Sequence, residues 1–185
     1  MRVIAGTKKG MPLKTLEGDS TRPTNDRIKE TLFNMISFDV PSSRFLDLFS
    51  GSGQIAIEAL SRGANFATLV ESNPKAAKII EGNINFTGFS DSSKLILADV
   101  FLALSNKMVK GNAPYDIIFM DPPYAMEREA EILGLIKSNN LLATDGMVII
   151  EADIKRDFSF AKELGFTITK EKKYKTNKHV FLENI

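Results

Sequence analysis

Tyr115-Asp116-Ile117-Ile118-Phe119-Met120-Asp121-Pro122-Pro123-Tyr124 is the stretch on which the reading of this chain turns. Its first six residues form a short apolar run that reads as a buried strand. Two consecutive prolines neither donate to a sheet ladder nor continue a helix, so the strand has to stop at Asp121. The stop leaves a carboxylate, a carbonyl and an aromatic ring at the strand's C-terminal end, which is where ligands bind in open α/β sheets. The same four residues also make an ordinary rigid turn, and the surrounding chain has to decide between the two.

Outward from this strand the chain alternates. Strands are expected at 45–49, 66–71, 94–98, 115–120 and 147–152, with helices between them at 54–62, 74–86, 100–109 and 127–137. Repeated strand–helix units imply an α/β fold: a Rossmann-like, mostly parallel sheet with helices on both faces. The rhythm breaks near the end. After a short helix around Phe158–Leu164, runs at 166–174 and 178–183 are too close to be anything but an antiparallel hairpin. At the other end, Arg2-Val3-Ile4-Ala5 and Met11-Pro12-Leu13 flank a glycine-bounded basic tip, Lys8-Lys9, and predict a small β-hairpin. A helix is expected from near Asn25, with Thr24 as its N-cap and Ile28, Leu32, Met35 and Ile36 on its apolar face. Arg27 and Lys29 fall off that face and are expected to meet solvent or a polymer.

At 185 residues, with 43% hydrophobic and 25% charged content, the composition is that of a globular domain able to bury a core without staples. Cysteine is absent, which removes disulfides and thiolate-ligated zinc and suits a reducing, cytoplasmic setting. His179 is the only histidine; it is expected to be a partly buried strand residue, and no metal site is expected. No signal peptide is expected, since only a few apolar residues follow Met1-Arg2 before Thr7-Lys8-Lys9, and no apolar run approaches membrane-spanning length. The net charge of +1 is unevenly spread. Residues 1–30 carry seven Lys/Arg against four Asp/Glu, residues 155–185 eight against four, and the middle nine against fifteen. An acidic middle with basic ends suits a nucleic-acid reader, though solvated surface charge gives the same count.

Leu46-Asp47-Leu48-Phe49-Ser50-Gly51-Ser52-Gly53 closes the first strand. Its glycines permit a tight turn and a close approach of backbone to ligand, and Glu71 ends the second strand where a carboxylate can take both hydroxyls of a ribose. An adenosine-type ligand is indicated. Asp47 would repel the pyrophosphate of a dinucleotide, whereas the ammonium and sulfonium of S-adenosylmethionine suit it. Asp99, after the third strand, is placed to accept the adenine amine or to cap the next helix. Asp121 and the Pro122 carbonyl can together hold both hydrogens of a planar amine, turning its lone pair toward a sulfonium. Tyr124 offers a stacking face for an extruded base.

These elements resemble the amino-methylating branch of the class I S-adenosylmethionine-dependent methyltransferases. More narrowly, the chain resembles the bacterial RsmD-type enzymes, which modify guanine N2 in small-subunit (16S) ribosomal RNA. The narrower likeness rests on Arg2–Gly6, Thr21-Arg22-Pro23-Thr24, Asp26-Arg27, Lys29-Glu30, Leu32-Phe33-Asn34, Leu46–Gly53, Glu58–Ala64 and Asp121–Tyr124. It implies an RNA-binding arm at residues 1–40 and a methyltransferase domain at 41–185. It gives Asp47, Phe49, Gly51, Gly53, Glu71 and Asp99 to the cofactor, with S-adenosylhomocysteine as product and no metal. Asp121, Pro122 and Tyr124 take the target amine and base. Arg2, Lys8, Lys9, Arg22, Thr24, Arg27, Lys172, Lys173 and Lys175 are expected at the RNA, free or within a small subunit, with Arg22 alternatively on the cofactor carboxylate. A monomer is expected. Lys175 stands where glycine is expected in the last hairpin. Competing readings are a DNA adenine-N6 or cytosine-N4 methyltransferase or another RNA amino-methyltransferase and, more distantly, an NAD-dependent oxidoreductase or a non-catalytic RNA-binding assembly factor. Protein glutamine methylation is disfavoured because such sites carry Asn-Pro-Pro-Tyr.

Overall fold

A computed structural model gives the fold and describes residues 1–16, 23–123 and 128–185, excluding the side chains of residues 23–25. Arg22 and Tyr124 thus lie outside the described residues, as does the side chain of Thr24. The apolar runs become strands β1 (Arg44–Asp47), β2 (Phe66–Glu71), β3 (Ser93–Leu97), β4 (Tyr115–Met120) and β5 (Leu142–Asp153). Between them lie α2 (Gln54–Ser61), α3 (Pro74–Thr87), α4 (Val100–Ser105) and α5 (Glu129–Ser138), preceded by α1 (Pro23–Met35). The closing hairpin is β6 (Phe166–Lys173) and β7 (Asn177–Asn184).

All seven strands form one sheet in the order β3-β2-β1-β4-β5-β7-β6. The first five are parallel to their neighbours, whereas β7 runs antiparallel to both β5 and β6. Strand order therefore reverses between β1 and β4, the switch point at which the sequence places its two motifs. Alternation along each strand divides the core into two layers. Phe45, Leu69, Phe119, Ile149 and Phe181 face α1, α2 and α3, while Leu46, Val70, Ile118, Ile150 and Val180 face α4 and α5.

Several expectations shift at element ends. The α1 helix begins at Pro23, so Thr24 lies inside its first turn and is not the N-cap. Proline suits that first position because its fixed φ is helical and the missing N–H has no intrahelical partner there. The 100–109 helix stops at Ser105, and the 158–164 helix shrinks to a single 3₁₀ turn at Ser159–Ala161. Strand β5 starts five residues before the expected Met147. The last hairpin closes without glycine: Tyr174 N–H donates to the Asn177 carbonyl at 2.8 Å, and Lys175 keeps a negative φ.

The N-terminal arm is docked onto the sheet domain. Val3 N–H donates to the Met11 carbonyl and Gly10 N–H to the Val3 carbonyl, so the arm is a hairpin-like loop pinned by one antiparallel bridge, Arg2–Pro12. Val3 and Leu13 enter the same core layer as Phe33 and Ile57. Gly6, at φ +81°, packs so tightly that a Cβ would lie 1.8 Å from the Ser61 carbonyl oxygen. The polar anchor is Glu58, fully buried on α2. It accepts from Ile4 N–H at 2.7 Å, Ala5 N–H at 3.0 Å and Arg62 Nε at 2.8 Å.

Lys29 corrects the sequence reading. It is 3% exposed, donates to the Arg2 carbonyl at 2.7 Å, and places its ammonium 3.5 Å from Glu58. Burial pulls its pKa below the usual lysine value, and Glu58 opposes that pull. The side chain leaves the solvent face because a buried carboxylate and an arm carbonyl need its proton donors.

Glu58→Ala leaves Lys29 buried without its counter-ion and releases two arm amides. We expect a loss of about 3–5 kcal/mol in urea unfolding, and faster amide exchange at Ile4 and Ala5 than in the wild-type protein.

Candidate active site at the C-terminal edge of the sheet

Because the first five strands are parallel, their C-terminal ends share one edge. Each carries a carboxylate within two residues of that end: Asp99 beyond β3, Glu71 on β2, Asp47 on β1, Asp121 beyond β4, and on β5 Glu151, two residues before the terminal Asp153. Register puts all five on one face. Asp47 pairs with Leu69 and Phe119, so Glu71 and Asp121 lie two residues further along their strands on the same side. Phe119 pairs with Ile149 and Ile149 with Phe181, so Glu151 and its partner His179 continue the row. Two residues of strand are about 7 Å, which sets Asp47 deeper than its neighbours.

Depth explains the behaviour of Asp47. It is 1% exposed; Oδ1 accepts weakly from Phe49 N–H at 3.4 Å, and Oδ2 is buried with no hydrogen-bond partner among the described residues. Burial pushes its pKa up to about 7, and the charge of Glu71 adds to the rise. An unpartnered buried carboxylate oxygen costs stability unless something donates to it. A ligand ammonium or hydroxyl fits that requirement; a phosphate does not.

The glycine loop shapes the wall above Asp47. Gly53 precedes α2 in the left-handed conformation, φ 78°, tight against Leu69 and Ile80. A Cβ on Gly51 would meet nothing within 4 Å, so this part of the loop is open. Gly51 N–H donates to Glu71 Oε2 at 2.8 Å and Asn73 N–H to Oε1 at 2.7 Å. These two bonds fix the Glu71 carboxylate at the rim and leave each oxygen a further lone pair. Asp99 caps α4, with Oδ1 accepting from Phe101 N–H at 2.9 Å and Leu102 N–H at 3.4 Å. Both cap bonds fall on one oxygen of an exposed side chain, leaving Oδ2 outside the cap. The half-buried Phe49 packs from the loop onto the α4–α5 core.

Asp121 stands at the mouth. Its pKa is pushed up to about 8, first by desolvation among the surrounding chain and then by the charges of Glu151 and Asp47. The residue nevertheless keeps contact with solvent. Water weakens the desolvation contribution more than the repulsion from two adjacent carboxylates, so the upward direction stands. Pro122 is buried and fixes the chain direction behind it. What the sequence reading missed is the far side of Asp121. Glu151 Oε1 accepts from Asn177 Nδ2 at 2.5 Å, and its Oε2 lies 3.1 Å from His179 Nε2. Tyr174 Oη sits 3.1 Å from His179 Nδ1. His179 is fully buried, not partly buried as expected. The available signal was positional, since Glu151 occupies the fifth strand end.

The arm reaches this edge. Asn83, 2% exposed on α3, accepts from Lys14 N–H at 2.9 Å and donates to the carbonyls of Lys14 and Ser52 at 2.9 Å each. One asparagine thus ties the arm to the glycine loop. Of the basic residues expected at RNA, Arg2 is exposed but 3.4 Å from Asp26, and Lys8 holds its ammonium 5.6 Å from the Phe89 ring. Lys9, Arg27, Lys172, Lys173 and Lys175 are exposed, the last three clustered on the closing hairpin. No helix among the described residues is long and apolar enough to cross a membrane.

Residues 1–183 match the family described as Conserved hypothetical protein 95. A Bacillus subtilis protein named, provisionally, rRNA methyltransferase YlbH is 39% identical over 153 residues, covering 83% of each chain. Ribosomal RNA small subunit methyltransferase D of Haemophilus influenzae is 31% identical over 172 residues, covering 93% of this chain and 88% of its own. Among solved structures, the Escherichia coli protein yhhF, described provisionally as a methyltransferase, superposes with a TM-score of 0.85. It is 26% identical and covers 100% of this chain and 97% of its own.

A carboxyl whose pKa is higher folded than unfolded keeps its proton only in the folded state. Asp47 therefore favours folding most at pH below about 4, and this support is lost as pH rises through about 7. Thermal midpoints of the ligand-free protein should fall between pH 5 and pH 8, and Asp47→Asn should flatten that slope. The slope from this residue is at most about 1.4 kcal/mol per pH unit.

Proposed function

The chain belongs to the RsmD-type family, described as Conserved hypothetical protein 95, and from that premise we propose that it is an S-adenosylmethionine-dependent methyltransferase acting on the exocyclic N2 amine of one guanine in small-subunit ribosomal RNA. The observation that carries the reading is the buried, unpartnered Asp47 oxygen beside Asp121 at the switch point of the sheet. It supports a cationic ligand next to an amine-accepting group.

When bound, S-adenosylmethionine would supply a methyl group activated by a positive sulfur. Asp47 and the backbone of Gly51–Gly53 would hold its amino-acid end, Glu71 its ribose hydroxyls, and Asp99 its adenine amine, with Phe49 lining the loop. The second lone pairs of Glu71 and the free oxygen of Asp99 fit these roles. Asp121 and the Pro122 carbonyl accept the two hydrogens of the target amine. Holding both hydrogens draws the nitrogen lone pair out of conjugation and orients it toward the methyl group. As positive charge develops on nitrogen, the carboxylate row stabilises it. Asp121, its proton affinity raised by its neighbours, is well placed to accept the proton the amine must lose. The family likeness assigns Tyr124 to stacking on the extruded base and Arg22 and Thr24 to RNA contacts.

The exposed lysines on the closing hairpin adjoin the acidic edge and contact phosphates, and Lys8, Lys9, Arg2 and Arg27 on the arm contact phosphates farther along the RNA. Monomeric action in the cytoplasm on rRNA, free or in an assembling small subunit, completes the reading.

Nucleoside mass mapping of small-subunit rRNA tests it directly. One N2-methylguanosine should vanish in cells lacking the gene, return with the wild-type protein, and fail to return with Asp121→Ala; an unchanged methylguanosine map overturns the assignment. Calorimetry gives an independent check. Because a cationic ligand favours ionised Asp47 and Asp121, S-adenosylmethionine affinity should rise from pH 6 to pH 8, with proton release on binding.

A further inference from the structure

Glu151 has a role to account for. It projects from β5 on the same face as Asp121 and next to it, because Met120 pairs with Ile150 and the two strands are parallel. Its two oxygens are held by Asn177 and His179, and His179 is held in turn by Tyr174. The carboxylate is more accessible than the histidine it holds: its side chain is 19% exposed against 1% for His179. A carboxylate has about four acceptor positions, so two bonds leave it able to accept more. The charge it projects reaches Asp121. Independently, the buried oxygen of Asp47 in the same row has no donor among the described residues, so this edge is built to receive donors from a ligand.

We infer that Glu151 reads the target base: its carboxylate accepts the N1–H of the guanine whose N2 amine Asp121 holds. The inference rests on the methyl-transfer reading above and deepens it. Guanine presents N1–H and the N2 amine side by side, so two adjacent acceptors match its edge. Adenine and cytosine present their amine beside an unprotonated ring nitrogen, whose lone pair a carboxylate repels. The amine clamp is indifferent among these bases; the second carboxylate is not. Asn177 and His179 are positioning residues that fix Glu151 so that the discrimination costs no reorganisation on binding. If Glu151 served only as a partner for a buried histidine, it would affect stability and leave base choice untouched.

2-Aminopurine separates the two roles, because it keeps the exocyclic amine but has a lone pair in place of N1–H. Small-subunit rRNA would be made with guanosine or 2-aminopurine riboside at the mapped position and offered as free RNA and in reconstituted subunits. The wild-type enzyme should prefer guanosine by roughly 10- to 100-fold in kcat/KM, the range set by one hydrogen bond to a charged group. Glu151→Gln, whose amide can donate to the lone pair, should shrink that preference by a similar factor. Comparing preferences cancels the intrinsic reactivity of the two amines. A folded Glu151→Gln protein with the wild-type preference overturns the assignment. So do equal wild-type rates on both bases, which need no variant. Methylation of guanosine in those cases leaves the parent reading standing, whereas methylation of neither base by the wild type brings down both.

Discussion

Parallel strands deliver all their C-terminal ends to one edge, and here that edge gathers five carboxylates. Like charges at neighbouring strand ends repel, and the deepest of them, Asp47, is also cut off from water. Burial first, and the neighbouring charges after it, raise Asp47 to about 7 and Asp121 to about 8, so the ligand-free protein relieves the strain by holding protons. Cations and hydrogen-bond donors offer the same relief. The site is therefore selective before any shape is considered: it rewards ligands with positive charge and N–H or O–H groups, and it rejects anions.

Glu58 shows what a carboxylate looks like when its work is internal. It is as buried as Asp47, yet two backbone amides, Arg62 and Lys29 surround it. Every part of that arrangement holds the arm against α2, and from there Asn83 carries the connection to the glycine loop. The arm is thus fixed relative to the ligand edge by a polar network and by the apolar layer around Val3 and Leu13. A segment locked in this way can present its basic tip at a constant distance from Asp121. The contrast between the two buried acids, one fully paired and one not, marks which of them serves the fold and which awaits a partner.

Local signals carried most of the fold. Prolines end β4 beside Asp121, glycines follow the end of β1, and apolar runs of strand length lie where the sheet has its strands, whereas the pairing that reverses the order between β1 and β4 is visible only in the sheet itself. Helix starts were less legible. Pro23 outcompetes Thr24 because a proline is preorganised for the first helical turn, and periodicity does not register that preference. Lys29 escaped because its reason for burial, Glu58, is 29 residues away and itself looks like an ordinary surface residue of an amphipathic helix. Glu151 and His179 escaped for a similar reason. Their meaning lies in an antiparallel pairing between β5 and β7, which a one-dimensional pattern does not contain. In the site, residues fixed by their own loop or strand end were readable, and those defined by a cross-strand neighbour were not.

The charge distribution carries a last consequence for how a polyanion meets this protein. At physiological salt, fields persist for about 8 Å, so an RNA backbone laid against five carboxylates would be repelled over its whole contact. Lys172, Lys173 and Lys175 stand beside that row. They sit on the closing hairpin, whose turn adjoins the C-terminal end of β5 toward one end of the sheet. Such an arrangement attracts phosphates to the flank and keeps them from the centre. Only an uncharged part of the nucleotide can cross into the acidic mouth, and the base is that part. On the proposed reading, extrusion of the base satisfies both charge patterns at once, with phosphates on lysine and the amine on Asp121. The acidic edge and the basic ends are for this reason one device, and neither sign of charge makes sense without the other.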